Sequence, residues 1–111
     1  MANLQISKAQ DGQTIVAGAG DVLALELPSN PTTGYKWDFA SIDENVVGIE
    51  HADYEPAGTA PGSGGVDRWT LRARSPGKTR LELKRFRPWG GDHSIVERFK
   101  ITLDIKSARI S

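Results

Sequence analysis

Alternation of apolar and polar residues with a period of two runs through almost the whole chain. In the segment Val22–Leu27, for example, leucines alternate with smaller or charged residues. This pattern indicates a β-strand with one buried and one solvated face, because successive side chains of a strand point to opposite faces. Similar runs predict further strands at Leu4–Ser7, Thr14–Val16, Tyr35–Phe39, Val46–Tyr54, Asp67–Arg74, Lys78–Phe86 and Ile95–Ile105.

Turn-forming residues separate these runs. Glycine, proline, asparagine and aspartate cluster at 11–12, 18–21, 28–31, 61–65, 75–77 and 90–92. Short strands at this spacing predict an all-β fold, an immunoglobulin-like β-sandwich of seven to eight antiparallel strands, with an up-and-down or partly open barrel as the alternative. The one candidate for a helical turn is Ser41–Asn45, with Ser41 as its cap. Residues 1–111 are expected to form a single domain, because the sequence contains neither a repeat nor a linker.

The composition excludes several classes of protein. The chain has no cysteine, which excludes a cysteine nucleophile, a thiolate zinc site and any disulfide. Its 14 basic and 14 acidic side chains give zero formal net charge, but residues 1–56 hold 2 basic and 9 acidic side chains, and residues 57–111 hold 12 and 5. Because strands from both halves interleave in a sandwich, this asymmetry along the chain need not become spatial. We therefore expect no nucleic-acid partner.

The sequence predicts neither a membrane span nor a leader peptide. No run approaches the roughly 18 consecutive apolar residues of a membrane helix. The start of the chain, Met1–Ile6, has no basic segment followed by an apolar stretch. We therefore expect no membrane partner, and we expect the chain to be either cytoplasmic or the mature form of an exported protein.

The groups that catalysis requires are sparse. His51 lies in a predicted strand, where a half-exposed histidine is usually structural. His93 lies between Asp92 and Ser94, but adjacent side chains point to opposite faces, whereas a catalytic triad is assembled from separate segments. Histidine and acidic residues do not cluster at the spacing of metal ligands. The sequence therefore predicts no enzyme, no metal site and no cofactor.

Three predicted loops have compositions suited to binding. The first, Asn30–Tyr35, holds two threonines between a proline, which fixes φ, and a glycine, which permits a positive φ. The second, Gly62–Gly65, is able to bring bare backbone close to a partner. The third, Arg87–Gly91, places Trp89 beyond a strand end, and tryptophan and arginine are enriched at binding hot spots. In an immunoglobulin-like topology we expect these loops at one end of the sandwich.

These three motifs, in this order and at these spacings, resemble the chagasin family of inhibitors of papain-like cysteine peptidases. The resemblance covers nearly the whole chain and rests on Asn30-Pro31-Thr32-Thr33-Gly34-Tyr35, Gly62-Ser63-Gly64-Gly65 and Arg87-Pro88-Trp89. It implies an immunoglobulin-like sandwich whose three loops occupy the active-site cleft of a cathepsin L-type peptidase. We expect a monomer when free, because the chain has zero formal net charge and no obvious extra apolar strand face. Binding would be reversible and tight, and the inhibitor would not be cleaved.

The resemblance also implies a role for each loop. The two threonines of the first loop would enter the cleft near the catalytic cysteine and histidine of the target. Gly64 and Gly65 would lie along the non-primed side through backbone contacts. Arg87 and Trp89 would contact the primed side, with Trp89 stacked on aromatic residues of the peptidase.

An immunoglobulin-like carbohydrate-binding or adhesion module is the alternative function. Tyr35 and Trp89 would then stack on the ring of a ligand. A carbohydrate site usually combines more exposed aromatic residues with acids or amides, and only 7% of the residues are aromatic. The composition therefore favours the inhibitor.

Overall fold

Eight β-strands in two four-stranded sheets dominate the computed structural model, which describes residues 2–58 and 64–107. The strands are β1 (Asn3–Ile6), β2 (Thr14–Gly18), β3 (Val22–Ser29), β4 (Lys36–Ser41), β5 (Val47–Pro56), β6 (Gly65–Ala73), β7 (Gly77–Phe86) and β8 (Glu97–Lys106). The first sheet has the order β1-β3-β6-β5 and the second the order β2-β8-β7-β4. Short 3₁₀-helices lie at Lys8–Gln10, Pro31–Thr33 and Pro88–Ser94. The predicted all-β sandwich is confirmed, with strand ends within two residues of those expected.

The apolar residues of the alternating pattern face the core, and the residues between them face the surface. On β3, Leu23, Leu25 and Leu27 are fully buried, and the residues between them are partly exposed. Phe39 and Trp69 come from different sheets and pack edge to face, with 5.7 Å between their ring centroids. Removing this apolar surface from water holds the two sheets together. The other buried apolar side chains are Ile6, Ala17, Trp37, Val47, Leu71, Ala73, Leu81, Leu83, Phe99, Ile101, Leu103 and Ile105.

Strand pairing differs from the wholly antiparallel prediction at two sheet edges. β1 pairs in parallel with β3, and β2 pairs in parallel with β8. A parallel pair needs a crossover connection, and the chain provides one by passing from β1 through β2 in the second sheet before it returns as β3. The alternation of apolar residues cannot predict whether a pair is parallel, because it shows which face of a strand is buried and not the direction of the neighbouring strand.

The predicted helical turn at 41–45 lies two residues further along the chain and has a different cap. Ser41 is the last residue of β4. The carboxylate of Asp43 accepts a hydrogen bond from the N–H of Asn45 at 3.0 Å, and its carbonyl accepts from Val46 and Val47, also at 3.0 Å. Asp43 therefore takes the place expected for Ser41, because β4 continues further along the chain than its sequence pattern indicated.

Asp21 fastens the N-terminal residues to the turn before β3. Its carboxylate accepts hydrogen bonds from the N–H groups of Gly18 and Ala2, both at 2.8 Å. The bond from Gly18 first, and then the bond from Ala2, stabilise the charged carboxylate and lower the pKa of Asp21 below its usual value of 3.8. Folding therefore favours the ionised form of this side chain.

We expect Asp21→Asn to lower the melting temperature at neutral pH and to matter less in acid. A carboxyl whose pKa is lowered by folding stabilises the protein above its unfolded-state pKa, and this contribution is lost as the pH falls through the lower folded-state value. Melting curves followed by circular dichroism, from neutral pH to below 3.8, measure the difference between parent and variant. A difference that stays constant over that range would contradict the assignment.

Formal charge separates between the outer faces of the two sheets. The outer face of the first sheet carries four acidic and two basic side chains, Glu26, Glu50, Asp53, Glu55, Arg68 and Arg72. The outer face of the second carries seven basic and three acidic ones, Lys36, Lys78, Arg80, Lys84, Arg98, Lys100, Lys106, Asp38, Glu82 and Asp104. The asymmetry along the sequence thus persists in space, because β1, β3 and β5 come from the acidic half and β7 and β8 from the basic half.

Three connections leave the strands at the same end of the sandwich. Loop 1 (residues 30–35) joins β3 to β4, loop 2 (residues 57–64) joins β5 to β6, and loop 3 (residues 87–96) joins β7 to β8. In the first sheet, Gly65 is the register partner of both Ser29 and Pro56. In the second sheet, Lys36–Phe86 is the last pair between β4 and β7 at this end, and Arg85–Glu97 is the last pair between β7 and β8. The strand ends that flank the three loops therefore lie together, as expected, whereas Gly62 and Ser63 of loop 2 lie outside the described residues.

Candidate functional site

Loop 1 is a single 3₁₀ turn that satisfies its own polar groups. The Asn30 side chain caps the turn and accepts hydrogen bonds from the backbone N–H of Thr32 at 3.2 Å and from its hydroxyl at 2.6 Å. The hydroxyl of Thr33 donates to the Asn30 carbonyl at 2.8 Å. Pro31 occupies the first position of the turn, where its fixed φ suits the helix and its missing N–H costs nothing. These bonds give the exposed threonines a fixed backbone.

Gly34 ends this turn and supports Trp89 of loop 3. Its φ is +81°, in the left-handed region that favours glycine. A Cβ built on Gly34 would lie 2.5 Å from Cη2 of Trp89, so the indole rests directly on the glycine backbone. Trp89 is nevertheless 75% exposed. The two expected binding loops are therefore in contact, and the indole presents most of its surface to solvent.

Ser94 closes loop 3, a role that the sequence analysis missed. Its hydroxyl accepts a hydrogen bond from the N–H of Arg87 at 2.9 Å and lies within donating distance of the carbonyls of Arg87 (2.9 Å) and Gly91 (2.7 Å). These contacts tie together the two ends of the segment Pro88–Ser94, which consists of two short 3₁₀ turns separated at Gly91, where the backbone is not helical (φ +57°, ψ −152°). The available signal was a serine close behind the Gly90-Gly91 turn, whereas the sequence analysis considered Ser94 only as a nucleophile.

Arg87 joins loop 3 to loop 1. Its guanidinium carbon lies 4.4 Å from the centroid of the Tyr35 ring and 6.0 Å from that of Trp89, within the range of cation–π attraction. Its Nη2 lies 3.5 Å from the carbonyl oxygen of Thr33. The Arg87 Nε is buried without a hydrogen-bond partner in the described part of the chain, so this side chain is held to loop 1 by the Tyr35 ring and the Thr33 carbonyl.

Trp37 supports loop 1 from inside the core. It is 4% exposed, and its indole Nε1–H donates a hydrogen bond to the carbonyl of Pro28 at 2.9 Å. The chain on both sides of loop 1 is therefore fixed to the core.

Gly64 of loop 2 and Gly65, the first residue of β6, lie at the same surface. Gly64 has a φ of +75°, and a Cβ on it would lie 3.7 Å from Cβ of Asn30. A Cβ on Gly65 would lie 2.2 Å from the Glu55 carbonyl oxygen, so this glycine already makes a close approach to the neighbouring strand β5. Gly62 and Ser63, which belong to the same motif, lie outside the described residues.

The described residues contain no arrangement for catalysis or metal binding. The Ser94 hydroxyl faces backbone carbonyls, and the carboxylate of Asp92 lies 3.2 Å from the ammonium of Lys84. His51 lies on β5 beside Asp53, with 3.7 Å between Nε2 and the carboxylate. Residues 2–58 and 64–107 include no group of three histidine or acidic side chains able to hold a metal ion. They also include no helix of the length and apolar character that a membrane span needs.

Fold and site together define the class of this protein. An all-β sandwich that presents three loops at one end, with an exposed tryptophan held between two of them, is a binding protein of immunoglobulin-like architecture.

Comparison with known proteins then identifies the family. The model of the chagasin family of peptidase inhibitors, I42, matches residues 16–103. Chagasin from Trypanosoma cruzi is 31% identical over 104 residues, which cover 89% of this chain and 94% of chagasin. The chain therefore belongs to the chagasin family, whose members inhibit cysteine peptidases, and the prediction of an inhibitor in place of an enzyme or a carbohydrate-binding module is confirmed.

Solved structures agree on the fold. The cysteine protease inhibitor EhICP2 from Entamoeba histolytica has a TM-score of 0.84 at 19% identity, covering 96% of this chain and 97% of that one. The Leishmania mexicana inhibitor ICP has a TM-score of 0.64 at 27% identity, covering 88% and 92%. PbICP-C, solved in complex with falcipain-2, has a TM-score of 0.67 at 17% identity, covering 96% and 100%.

Proposed function

We propose that this chain is a reversible, tight-binding inhibitor of papain-like, cathepsin L-type cysteine peptidases, and that its three loops occupy the active-site cleft. The contact residues are Asn30, Pro31, Thr32, Thr33, Gly34, Tyr35, Gly62, Ser63, Gly64, Gly65, Arg87, Pro88 and Trp89. The observation that carries the proposal is the contact between loops 1 and 3, where Trp89 rests on Gly34 and remains 75% exposed. The inhibitor binds as a monomer and without a cofactor.

The internal bonds of loop 1 favour tight binding. The hydroxyls of Thr32 and Thr33 already donate hydrogen bonds within the loop, so these donors give up no hydrogen bond to water when a cleft closes over them. The stacking of Arg87 on Tyr35 fixes loop 3 against loop 1. Because loops 1 and 3 already hold these contacts before they meet the peptidase, their binding has little conformational entropy to offset.

Each loop has a separate part of the cleft. Thr32 and Thr33 approach the catalytic cysteine and histidine, and loop 2 lies along the non-primed side. Trp89 stacks on aromatic side chains of the primed side, while Arg87 holds it in place. Resistance to cleavage follows from the 3₁₀ turn, because its capped backbone holds the peptide bonds of loop 1 away from a productive attack geometry.

Titration of papain and a cathepsin L-type enzyme with the purified protein tests this proposal. With a fluorogenic peptide as substrate, we expect both activities to fall to zero near one equivalent of inhibitor, while trypsin is spared. Activity should return on dilution, and the recovered inhibitor should have its original mass, because the loops are not cleaved. A sample that shows the β-sheet circular dichroism of a folded protein and inhibits neither cysteine peptidase would refute the proposal.

A further inference from the structure

Between the apolar core and the three loops lies a row of register partners that includes charged side chains. Arg85 on β7 is the register partner of both Trp37 on β4 and Glu97 on β8. One row deeper, the corresponding partners are the apolar residues 39, 83 and 99. The row of Trp37, Arg85 and Glu97 thus lies between the core and the loops.

Glu97 is the anion of this row. Its carboxylate contacts the ammonium of Lys8, from the 3₁₀-helix after β1, and lies 3.4 Å from Nη1 of Arg85. The Lys8 ammonium also lies 5.4 Å from the centroid of the Trp37 ring. The side chains of Glu97 and Lys8 are one-third exposed, and that of Arg85 is one-quarter exposed. At this partial burial, water screens the charges less than it does on the open surface.

The second partner of Arg85 is the ring of Tyr35 in loop 1. The guanidinium carbon of Arg85 lies 5.8 Å from the centroid of that ring, and the corresponding carbon of Arg87 lies 4.4 Å from it. One aromatic ring therefore has two like charges beside it, which repel each other. Among residues 2–58 and 64–107, Glu97 is the only acidic side chain that forms an ion pair with Lys8, Arg85 or Arg87.

We propose that Glu97 is a positioning residue for the peptidase-binding loops. Its carboxylate holds Arg85 in the row below the loops, and this leaves the Tyr35 ring to Arg87, which fixes loop 3 and Trp89 against loop 1. The contacts run in one series, from Glu97 through Arg85, Tyr35 and Arg87 to Trp89. The inference rests on the proposed function, because it assigns these loops to the peptidase.

A double-mutant cycle on inhibition of papain tests this series. With Arg85 present, we expect Glu97→Gln to raise the inhibition constant about tenfold, because an uncompensated Arg85 competes with Arg87 for the Tyr35 ring. In the Arg85→Gln background, the same change should raise the inhibition constant less than about twofold. A role in stability alone would cost the same in both backgrounds. Glu82→Gln is the matched control, because it removes a carboxylate paired with Arg98 on the outer face of the same two strands, and we expect it to leave inhibition unchanged.

A second measurement does not depend on any peptidase. In a ¹⁵N-labelled sample, the Nε–H signal of Arg87 should be shifted by the Tyr35 ring, and Glu97→Gln should move it towards the position of an exposed arginine. Equal costs of Glu97→Gln in the two backgrounds, or an unmoved Arg87 signal, would overturn the inference. If the parent protein fails to inhibit papain, the proposed function fails, and the Arg87 signal still decides whether Glu97 positions the loops.

Discussion

Replacing Trp89 with alanine should raise the inhibition constant against papain by between about 30-fold and several hundred-fold, since a tryptophan at the centre of an interface contributes about 2–4 kcal/mol. Trp89 is 75% exposed in the free protein, so most of its surface is available for burial by a partner. For the same reason, the loss of folding stability should stay within about 0.5 kcal/mol. Inhibition titrations and thermal melts of the same samples measure the two effects.

Val16→Ala is the control for this substitution. Val16 is also an exposed apolar residue, 57% accessible, but it lies on β2, outside the three loops. We expect it to inhibit papain as well as the parent does. Equal potency of the Trp89→Ala protein would remove loop 3 from the interface, and loss of potency in both variants would indicate a non-specific effect of surface hydrophobicity.

The second large effect is expected from Gly34→Ala. The new Cβ would lie 2.5 Å from Trp89, which forces the indole off its support, and we expect inhibition to weaken about tenfold or more because the hot-spot contact is lost. The substitution also places alanine at a φ of +81°, where a Cβ costs about 1 kcal/mol or more of folding stability. A loss of potency on its own would therefore leave the cause open.

Gly12→Ala separates the two causes. Gly12 has nearly the same φ, +83°, and a Cβ there would have no neighbour within 4 Å. Both variants should lose similar stability in chemical denaturation, but only Gly34→Ala should lose inhibition. If the two variants inhibit equally well, then Trp89 reaches the peptidase without its support on Gly34.

The fold was predictable because burial leaves a direct trace in the sequence. The leucines of β3 and the alternation in β7 and β8 fix which residues face the core, whatever the order of the strands. Strand direction leaves no such trace. The parallel pairing of β1 with β3 follows from the passage of the chain through the second sheet, which is a property of the whole fold.

The sequence predicted which loops form the candidate site, but not the side-chain contacts that join them. Proline and glycine in loop 1 encode a turn by their own backbone preferences, and loop 1 indeed ends in a left-handed Gly34. The stacking of Arg87 on Tyr35 depends on register between β4 and β7, and the closure of loop 3 by Ser94 depends on a turn seven residues long. The pairing of Arg87 with Tyr35 has no local signature, because strand register sets the distance between them, whereas the local signal for the closure of loop 3 was the serine that follows the Gly90-Gly91 turn.

The opposed charges on the outer faces of the two sheets bear on how the inhibitor travels to its target. With zero formal net charge, the molecule experiences little net force in an electric field. Its separated charges form a dipole, however, and the field exerts a torque on that dipole. The charge separation runs across the layers, whereas the loops lie at the strand ends. An acidic peptidase would therefore turn the basic flank towards itself and leave the loops pointing sideways, so productive encounters depend on random rotation more than on long-range attraction.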